Sequence, residues 1–309
     1  MKKLIDKPME KSFSPDGPQN THFVAAKSGR RSSNIFVVVL LLLTLYDVGL
    51  LLGFVPLAGV ELLILQFPLL ESLFLNEVFS STVGLLLQQV LYFAPVYLLL
   101  WAWLRFYEKR PFSSLGLKIN SAALGQHLQG ILVALMMVGA WVAIQAASGH
   151  LAFEGWMDLG PVGLAGFAAI LSAAYLGRAF QIGIEEALFR GWALQAIGVR
   201  YGAFAGILLS SVFFSFFHFF HIMTLFGIGE LHDPWPPILA VNILLWAVFA
   251  ALWVLYEGSL WGVIAFHAAA LWSYDYVFGF GGSPSLLDLR LVDPSYLTGG
   301  VGHAAAFEG

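Results

Sequence analysis

Two adjacent glutamates and an arginine lie in the stretch QIGIEEALFRGW, residues 181–192, within an otherwise apolar part of the chain. Ionisable groups inside a membrane are costly when unpaired, so they usually mark function. Glu186 and Arg190 are four residues apart, share a helix face and can form an ion pair. Glu185 is rotated by about 100° from Glu186 and has no polar residue three or four positions further on. The spacing predicts a structural Glu186–Arg190 pair and a Glu185 that is available for chemistry.

Two histidines on later apolar segments are candidate partners for Glu185. His218 ends the stretch SSVFFSFFH, and His267 ends GSLWGVIAFH. A carboxylate with two imidazoles can activate water directly, with the carboxylate as general base. The same three side chains can also bind zinc. The chain contains no HExxH pattern, and we expect no cofactor, with zinc as the alternative.

The composition indicates a membrane protein. The 309-residue chain is 59% hydrophobic and only 11% charged, with a mean hydropathy of +0.80. A soluble domain carries about 25% charged residues. The net charge of −4 gives no sign of nucleic-acid binding, and the absence of cysteine excludes disulfides and thiol nucleophiles. The sequence therefore predicts an all-α polytopic fold in contact with the lipid bilayer.

Apolar runs of spanning length predict about seven transmembrane helices. They cover residues 34–54, 82–104, 127–147, 163–183, 203–223, 238–256 and 259–280, while 57–81 is expected to be interfacial or re-entrant. The predicted organisation is a disordered cytoplasmic tail (1–33), two N-terminal spans with the interfacial segment (34–104), a core (105–280) and a flexible C-terminal tail (281–309).

The distribution of Lys and Arg predicts the topology. With a cytoplasmic N-terminus, the predicted outer loops 57–81, 148–162 and 224–237 contain no Lys or Arg, as the positive-inside rule requires. The C-terminus is then outside, and Glu185 lies near the cytoplasmic side. Arg178 is expected to extend to the inner interface. Short loops and the lack of a targeting segment favour a prokaryotic plasma membrane.

Three ordered motifs resemble a known family. EEALFRGWALQ, SSVFFSFFH and GSLWGVIAFH resemble the type II CAAX prenyl proteases and bacteriocin-processing enzymes, which are intramembrane glutamic proteases. The matching residues are Glu185, Glu186 and Arg190 in the first motif, Phe214 and His218 in the second, and His267 in the third. The resemblance covers residues 105–280.

The resemblance implies a helical fold around a conical cavity that opens to the cytoplasmic side. It implies that Glu185 is the general base and that His218 orients the water. Glu186 and Arg190 would form the structural pair, and His267 would help to polarise the scissile carbonyl. This scheme requires no metal.

One position departs from the family pattern. Four residues after His267, where the family has an Asn that donates to the oxyanion, this chain has Leu271. Losing such a donor costs other enzymes roughly two to three orders of magnitude in rate. Asn242 or Tyr274 could supply the missing donor, or the chain could be a slow or inactive relative.

Two functions of different classes follow. The first is an endopeptidase that cuts a peptide or membrane-anchored protein near the cytoplasmic face. The second is a catalytically weak or inactive binding, immunity or scaffold protein in the membrane. The substrate, its prenylation and the oligomeric state are not predicted by the sequence.

Overall fold

The computed structural model of the protein describes residues 20–157, 160–226, 235–280 and 285–292, except for the side chains of 161, 219–226 and 235–239. Its helices are α1 (Thr21–Ala26), α2 (Ile35–Gln66), α3 (Pro68–Leu75), α4 (Glu77–Glu108), α5 (Ser121–Ala147), α6 (Gly163–Tyr201), α7 (Ala203–Phe226), α8 (Trp235–Glu257) and α9 (Trp261–Trp272). A 3-10 turn covers Phe112–Leu115, and the described strands are β1 (Leu151–Trp156) and β2 (Leu287–Leu291).

Several of these helices are long and apolar enough to cross a membrane. Among the described residues there are five by length and composition, namely α2, α4, α5, α6 and Ala240–Glu257 of α8. The apolar part of α7, Ala203–His218, is shorter. The predicted all-helical, multi-pass membrane fold is confirmed, whereas the count of seven spans stays a prediction.

The segment predicted as interfacial, residues 57–81, is divided between three helices. Residues up to Gln66 continue α2, which runs through Pro56. Pro68 then begins the short helix α3, and Glu77 begins α4. A proline removes only one intrahelical N–H donor, so a long apolar helix packed along α4 tolerates it. The prediction of a separate interfacial segment is therefore wrong for residues 57–66, which continue α2.

Wider, π-helical turns interrupt several of the described helices. Ser80–Gly84 and Trp103–Glu108 belong to α4, Ala187–Ala193 belongs to α6, and Ser273–Val277 continues α9. The π turn in α6 directly follows the two glutamates, so the helix extends well beyond the predicted end at residue 183. Such insertions often occur at functional sites, because they redirect side chains without ending the helix.

The N-terminal tail predicted as disordered is wrong from residue 20 onwards. Asn20 caps α1 by accepting a hydrogen bond from the backbone N–H of His22, and His22 and Phe23 are buried. Ser33 is buried as well. The polar composition suggested disorder, but His22 and Phe23 are buried against the end of α6, where the Phe23 ring meets Gly198. Residues 1–19 lie outside the described part of the chain.

Part of the predicted flexible C-terminal tail forms β2. The sequence LDLRL alternates apolar and polar residues, as a half-buried strand requires. β2 pairs antiparallel with β1, from Leu151 opposite Leu291 to Trp156 opposite Leu287. The tail prediction is therefore wrong for these residues, while residues 293–309 lie outside the described part of the chain.

Candidate active site

The two glutamates of α6 lie at the centre of the helix bundle. Glu185 is 4% exposed, and Glu186 is fully buried. Helix α2 approaches them from one side, and α7 and α9 from the others. Their carboxylates point to different partners, as the rotation between adjacent helical residues predicts.

Glu186 binds two cationic or potentially cationic groups through one oxygen. Arg190 Nη1 is 3.3 Å and His267 Nδ1 is 2.9 Å from Glu186 Oε1. The Arg190 guanidinium also lies 3.7 Å from the centre of the Phe214 ring, a cation–π contact. The predicted Glu186–Arg190 pair is present. His267 is held by Glu186, and its second ring nitrogen, Nε2, points away from that bond.

Glu185 is anchored differently. Its Oε1 accepts hydrogen bonds from the Tyr46 hydroxyl at 3.3 Å and from Gln181 Nε2 at 3.4 Å. Its Oε2 is buried and has no hydrogen-bond partner among the described residues. His218 Nε2 lies 3.8 Å from that oxygen. One carboxylate oxygen is therefore held in place, and the other faces an imidazole.

The backbone fixes which nitrogen of His218 carries a hydrogen. His218 Nδ1 is 2.9 Å from the carbonyl oxygen of Phe214, and a carbonyl can only accept a hydrogen bond. Nδ1 is therefore the donor, so Nε2 of the neutral ring has its lone pair directed toward Glu185. A separation of 3.8 Å is too long for a direct hydrogen bond and suits a bridging water.

The comparison with known families identifies this core. Residues 166–272 match the model described as type II CAAX prenyl endopeptidase Rce1-like. The predicted family resemblance is confirmed. The matched region covers about a third of the chain, contains both glutamates together with His218 and His267, and indicates a membrane protease. We find no similar protein among curated sequences and no similar solved structure.

Within this CAAX protease-like region and just beyond it, a chain of polar side chains leads to Glu185. Asp275 Oδ2 binds Arg178 Nη2 at 2.8 Å, Arg178 Nη1 donates to Gln181 Oε1 at 3.3 Å, and Gln181 donates to Glu185. The Arg178 guanidinium binds a carboxylate on the π turn after α9, and its extension to the inner interface stays a prediction. Gln181 had a sequence signal, four residues before Glu185, but Tyr46 of α2 had none.

The two residues that could replace the family asparagine, Asn242 and Tyr274, lie in different surroundings. Asn242 is exposed on the surface of α8. Tyr274 is buried beside the rings of Trp141 and Phe280. Leu271 itself is buried in the apolar core. The exposed position of Asn242 makes it a poor donor for this site, because its amide lies on the outer face of the bundle.

An apolar groove of about 300 Å³ lies next to the site. It runs between α2 and α7 and is lined by Val39, Leu42, Leu43, Phe189, Val212, Phe213, Phe216 and Phe217. The Phe217 ring contacts the Tyr46 ring at 4.8 Å, and the Tyr46 hydroxyl binds Glu185. One wall of the groove therefore packs on the tyrosine that binds the candidate base.

No group of three or more histidine, aspartate or glutamate side chains among the described residues is arranged to hold a metal ion. Glu185 and His218 face each other, whereas His267 is bound to Glu186. Of the three side chains that could bind zinc, only Glu185 and His218 lie together in the described part of the chain. Zinc binding stays a prediction.

A second buried polar cluster lies beneath the site, at the end of α4. Glu108 accepts hydrogen bonds from Ser33, Arg110 and Trp192, and Arg110 also donates to Gln195. Burial lowers the pKa of Arg110, an effect that Glu108 opposes. The cluster connects the N-terminal segment to α6.

Helix α1 closes this cluster through His22. Its Nε2 is 2.8 Å from the backbone carbonyl of Arg190, and its own carbonyl accepts from Gln195. Burial lowers the pKa of His22 to about 4, against the opposing effect of the Arg190 carbonyl. The ring is therefore neutral at pH 7 and donates to the π turn that follows Glu186.

Proposed function

We propose that the protein is an intramembrane endopeptidase in which Glu185 activates the attacking water. One observation carries this proposal. Glu185 Oε2 is buried, has no hydrogen-bond partner among the described residues, and lies 3.8 Å from His218 Nε2. A water molecule that bridges these two atoms would donate one hydrogen to the base, Glu185 Oε2, and the other to the acceptor, His218 Nε2. General base catalysis needs a water positioned in this way.

The proposed reaction begins with that water. Glu185 accepts one proton as the water oxygen attacks the carbonyl carbon of the scissile peptide bond. His218 accepts the other hydrogen of the water in a hydrogen bond and so orients a lone pair toward the carbonyl. The tetrahedral intermediate then collapses, the C–N bond breaks, and the proton on Glu185 passes to the leaving amine. The other hydrogen of the water stays on the new carboxylic acid and then passes to the amine, so the products are a carboxylate and an ammonium group.

His267 is proposed to polarise the scissile carbonyl. Glu186 fixes the ring through Nδ1, at 2.9 Å. In the protonated ring both nitrogens carry a hydrogen, so Nδ1–H donates to Glu186 and Nε2–H is directed away from it. A positioned donor of this kind stabilises the charge that develops on the carbonyl oxygen. Arg190 holds Glu186 in turn, and the Phe214 ring packs on the Arg190 guanidinium, so both support the site without touching substrate.

The groove between α2 and α7 supports a hydrophobic substrate. Its lining is wholly aliphatic and aromatic, so it fits an apolar side chain or an apolar anchor of a peptide or membrane-bound protein. We therefore propose a peptide or membrane-anchored protein as the substrate. A prenyl group is one such anchor, and an apolar peptide segment is another. The sequences of the cleaved proteins will show which of the two the substrates carry.

The proposed orientation has the N-terminus in the cytoplasm of a prokaryotic cell. This orientation requires residues 151–156 and 287–291 to share one side of the membrane, and the pairing of β1 with β2 agrees with that requirement without favouring either side. Both segments were assigned to the outer side by the distribution of positive charge. The cluster around Arg110 and the segment 20–33 belong to the opposite side.

One observation favours a second candidate function. Leu271 occupies the position of the family's asparagine and is buried among apolar side chains, so it supplies no donor to an oxyanion. A relative that lacks this donor could use the same cavity to bind a peptide, as an immunity or scaffold protein, with little or no cleavage.

The test compares the N-terminal peptides of membranes from cells that express wild-type protein or Glu185→Gln at equal levels. If we are right, a specific set of new N-termini is absent in the variant, and their sequences identify the substrate and any lipid anchor. Identical inventories, together with a phenotype on deletion, would favour the binding protein. Loss of cleavage with a chelator and one zinc per purified chain would instead establish the metal alternative.

A further inference from the structure

The carboxylate of Glu185 is held by only one of its two oxygens. Both hydrogen bonds reach Oε1, from Tyr46 on α2 and from Gln181 on the preceding turn of α6. This asymmetry leaves Oε2 directed at His218. Whatever fixes the donors to Oε1 therefore also fixes the direction of Oε2.

An amide can face a carboxylate in two ways, and only one of them is attractive. If the NH₂ group of Gln181 faces Glu185, it donates a hydrogen bond. If its carbonyl oxygen faces Glu185, the two acceptors repel each other. Glu185 alone favours the NH₂ group, and the other neighbour of the amide either reinforces or opposes that direction.

That other neighbour is Arg178, and it allows only one direction. A guanidinium has donors and no acceptor, so the atom of Gln181 that faces Arg178 Nη1 at 3.3 Å must be the carbonyl oxygen. The NH₂ group then faces Glu185. Arg178 is held in turn by Asp275 Oδ2, at 2.8 Å. From Asp275 to Glu185, each hydrogen bond sets the direction of the next.

We infer that Gln181 is a positioning residue for Glu185, and that the Arg178–Asp275 ion pair sets the direction of its amide. This inference rests on the proposed function, since it assigns the chain of side chains to the general base of that reaction. It also gives a reason for a partly buried Asp–Arg pair whose carboxylate lies three residues beyond the region that matches the family model, which ends at residue 272.

The first variant removes the amide. Gln181→Leu is compared with Gln129→Leu, which replaces an exposed amide on α5. The full-length chains are reconstituted in phosphatidylcholine vesicles with a synthetic peptide that spans a cut site from the comparison of N-terminal peptides. We expect kcat of Gln181→Leu to fall about tenfold, as loss of a hydrogen bond to a charged group does, with KM unchanged. The control should match wild type.

The second variant exchanges the charges, Arg178→Asp with Asp275→Arg. It restores the ion pair, so thermal stability should return to near the wild-type value after being lowered in each single variant. The carboxylate introduced at position 178 would compete with Glu185 for the NH₂ group of Gln181, because both carboxylates only accept hydrogen bonds. We therefore expect kcat to stay at least about tenfold below wild type. The same exchange at the exposed Arg290–Glu154 pair serves as the control.

The outcomes separate the alternatives. If the exchange restores both stability and kcat, the ion pair is merely structural and the inference is overturned. If the exchanged protein does not fold, Gln181→Leu decides alone, and a kcat within about twofold of wild type overturns the inference. If wild type cleaves no more than Glu185→Gln, the proposed function fails, and the inference fails with it. A wild type that cleaves while Gln181→Leu is fully active overturns only the inference.

Discussion

Glu108 of α4 and Glu185 of α6 are both buried carboxylates, and their surroundings differ. Glu108 accepts from the Ser33 hydroxyl at 2.7 Å, from Trp192 Nε1 at 2.9 Å and from Arg110 Nε at 2.6 Å. Both of its oxygens have short bonds. Glu185 has two bonds of 3.3 and 3.4 Å, both to the same oxygen.

The difference teaches what each site is suited to do. A buried charge with all its partners in place stabilises one arrangement and has no capacity left for a new ligand. A buried carboxylate with an oxygen that lacks a partner has lost its hydration without full compensation, which a fold retains where function requires it. The Glu108 cluster is therefore suited to a structural role. Glu186 Oε2 also lacks a hydrogen-bond partner among the described residues, so what suits Glu185 to a reactive role is that its free oxygen faces His218 Nε2.

Replacing glutamate with glutamine should lower cleavage at position 185 and stability at position 108. Glu185→Gln removes the base, so cleavage should fall about 10²- to 10⁴-fold while the free energy of unfolding changes by less than about 1 kcal/mol. Glu108→Gln leaves the buried Arg110 without its charge partner, so the free energy of unfolding should fall by about 3 kcal/mol. Cleavage per folded molecule should be unchanged there.

Unfolding in detergent and cleavage of the cut-site peptide measure the two effects on the same preparations. A Glu108→Gln protein that folds normally and cleaves poorly would reverse the assignment of the two clusters. A Glu185→Gln protein that unfolds as readily as Glu108→Gln would show that both carboxylates are structural.

The next largest effect is expected at Leu271. Replacing it with Asn would introduce an amide one turn from His267, and a donor at the oxyanion is worth roughly 10²- to 10³-fold in rate in other enzymes. We expect at least about a tenfold gain in kcat, since the new amide starts without supporting contacts. Leu271→Ala makes a similar loss of apolar packing and adds no donor, so it is the control. An equal rate in both variants would mean that this position does not face the oxyanion.

The motif spacing was enough to predict the central pair and the candidate base. Glu186 and Arg190 are on one helical face whatever surrounds them, so their ion pair needed no tertiary information. The sequence resemblance likewise pointed to His218 and His267, and both lie within the region that matches the family model. The spans α2, α5 and α6 were visible because apolar length alone identifies them.

The partners of these residues could not be predicted, because they depend on packing between distant segments. Tyr46 reaches Glu185 across 139 positions of sequence, and Asp275 reaches Arg178 across 97. No local pattern indicates such contacts. The ordered segment 20–33 was missed for a related reason: its polar composition indicates disorder, while its stability comes from Glu108 and Gln195, which lie far along the chain.

A smaller effect is expected of pH on the packing of α1, through His22 at the edge of the Glu108 cluster. His22 has a pKa of about 4 when α1 is packed and 6.5 when it is not. The unpacked segment therefore takes up the proton first as the pH falls. Packing of α1 is fully stabilised above pH 6.5 and loses up to about 3 kcal/mol as the pH falls to 4. Hydrogen exchange of residues 20–33 at about pH 7 and about pH 4.5, corrected for the intrinsic rate, should show the loss.

His22→Gln provides the control for this measurement, because an amide can donate to the Arg190 carbonyl and does not titrate. Exchange in the variant should be nearly independent of pH over the same interval. Equal pH dependence in both proteins would assign the effect to another group.

The smallest expected effect concerns the second donor to Glu185. Tyr46→Phe removes the hydroxyl and keeps the ring that packs on Phe217. Gln181 still binds Glu185 Oε1, so the carboxylate keeps one donor, and the loss should not exceed the lower end of the about 1.5–3 kcal/mol that a hydrogen bond to a charged group contributes. We expect kcat to fall about two- to tenfold with KM unchanged.

Combined with Gln181→Leu, the loss should exceed the product of the two single effects, because Oε1 then has no donor left among the described residues. Strictly multiplicative effects would mean that Tyr46 and Gln181 act on Glu185 independently, and that its orientation is set by the surrounding packing.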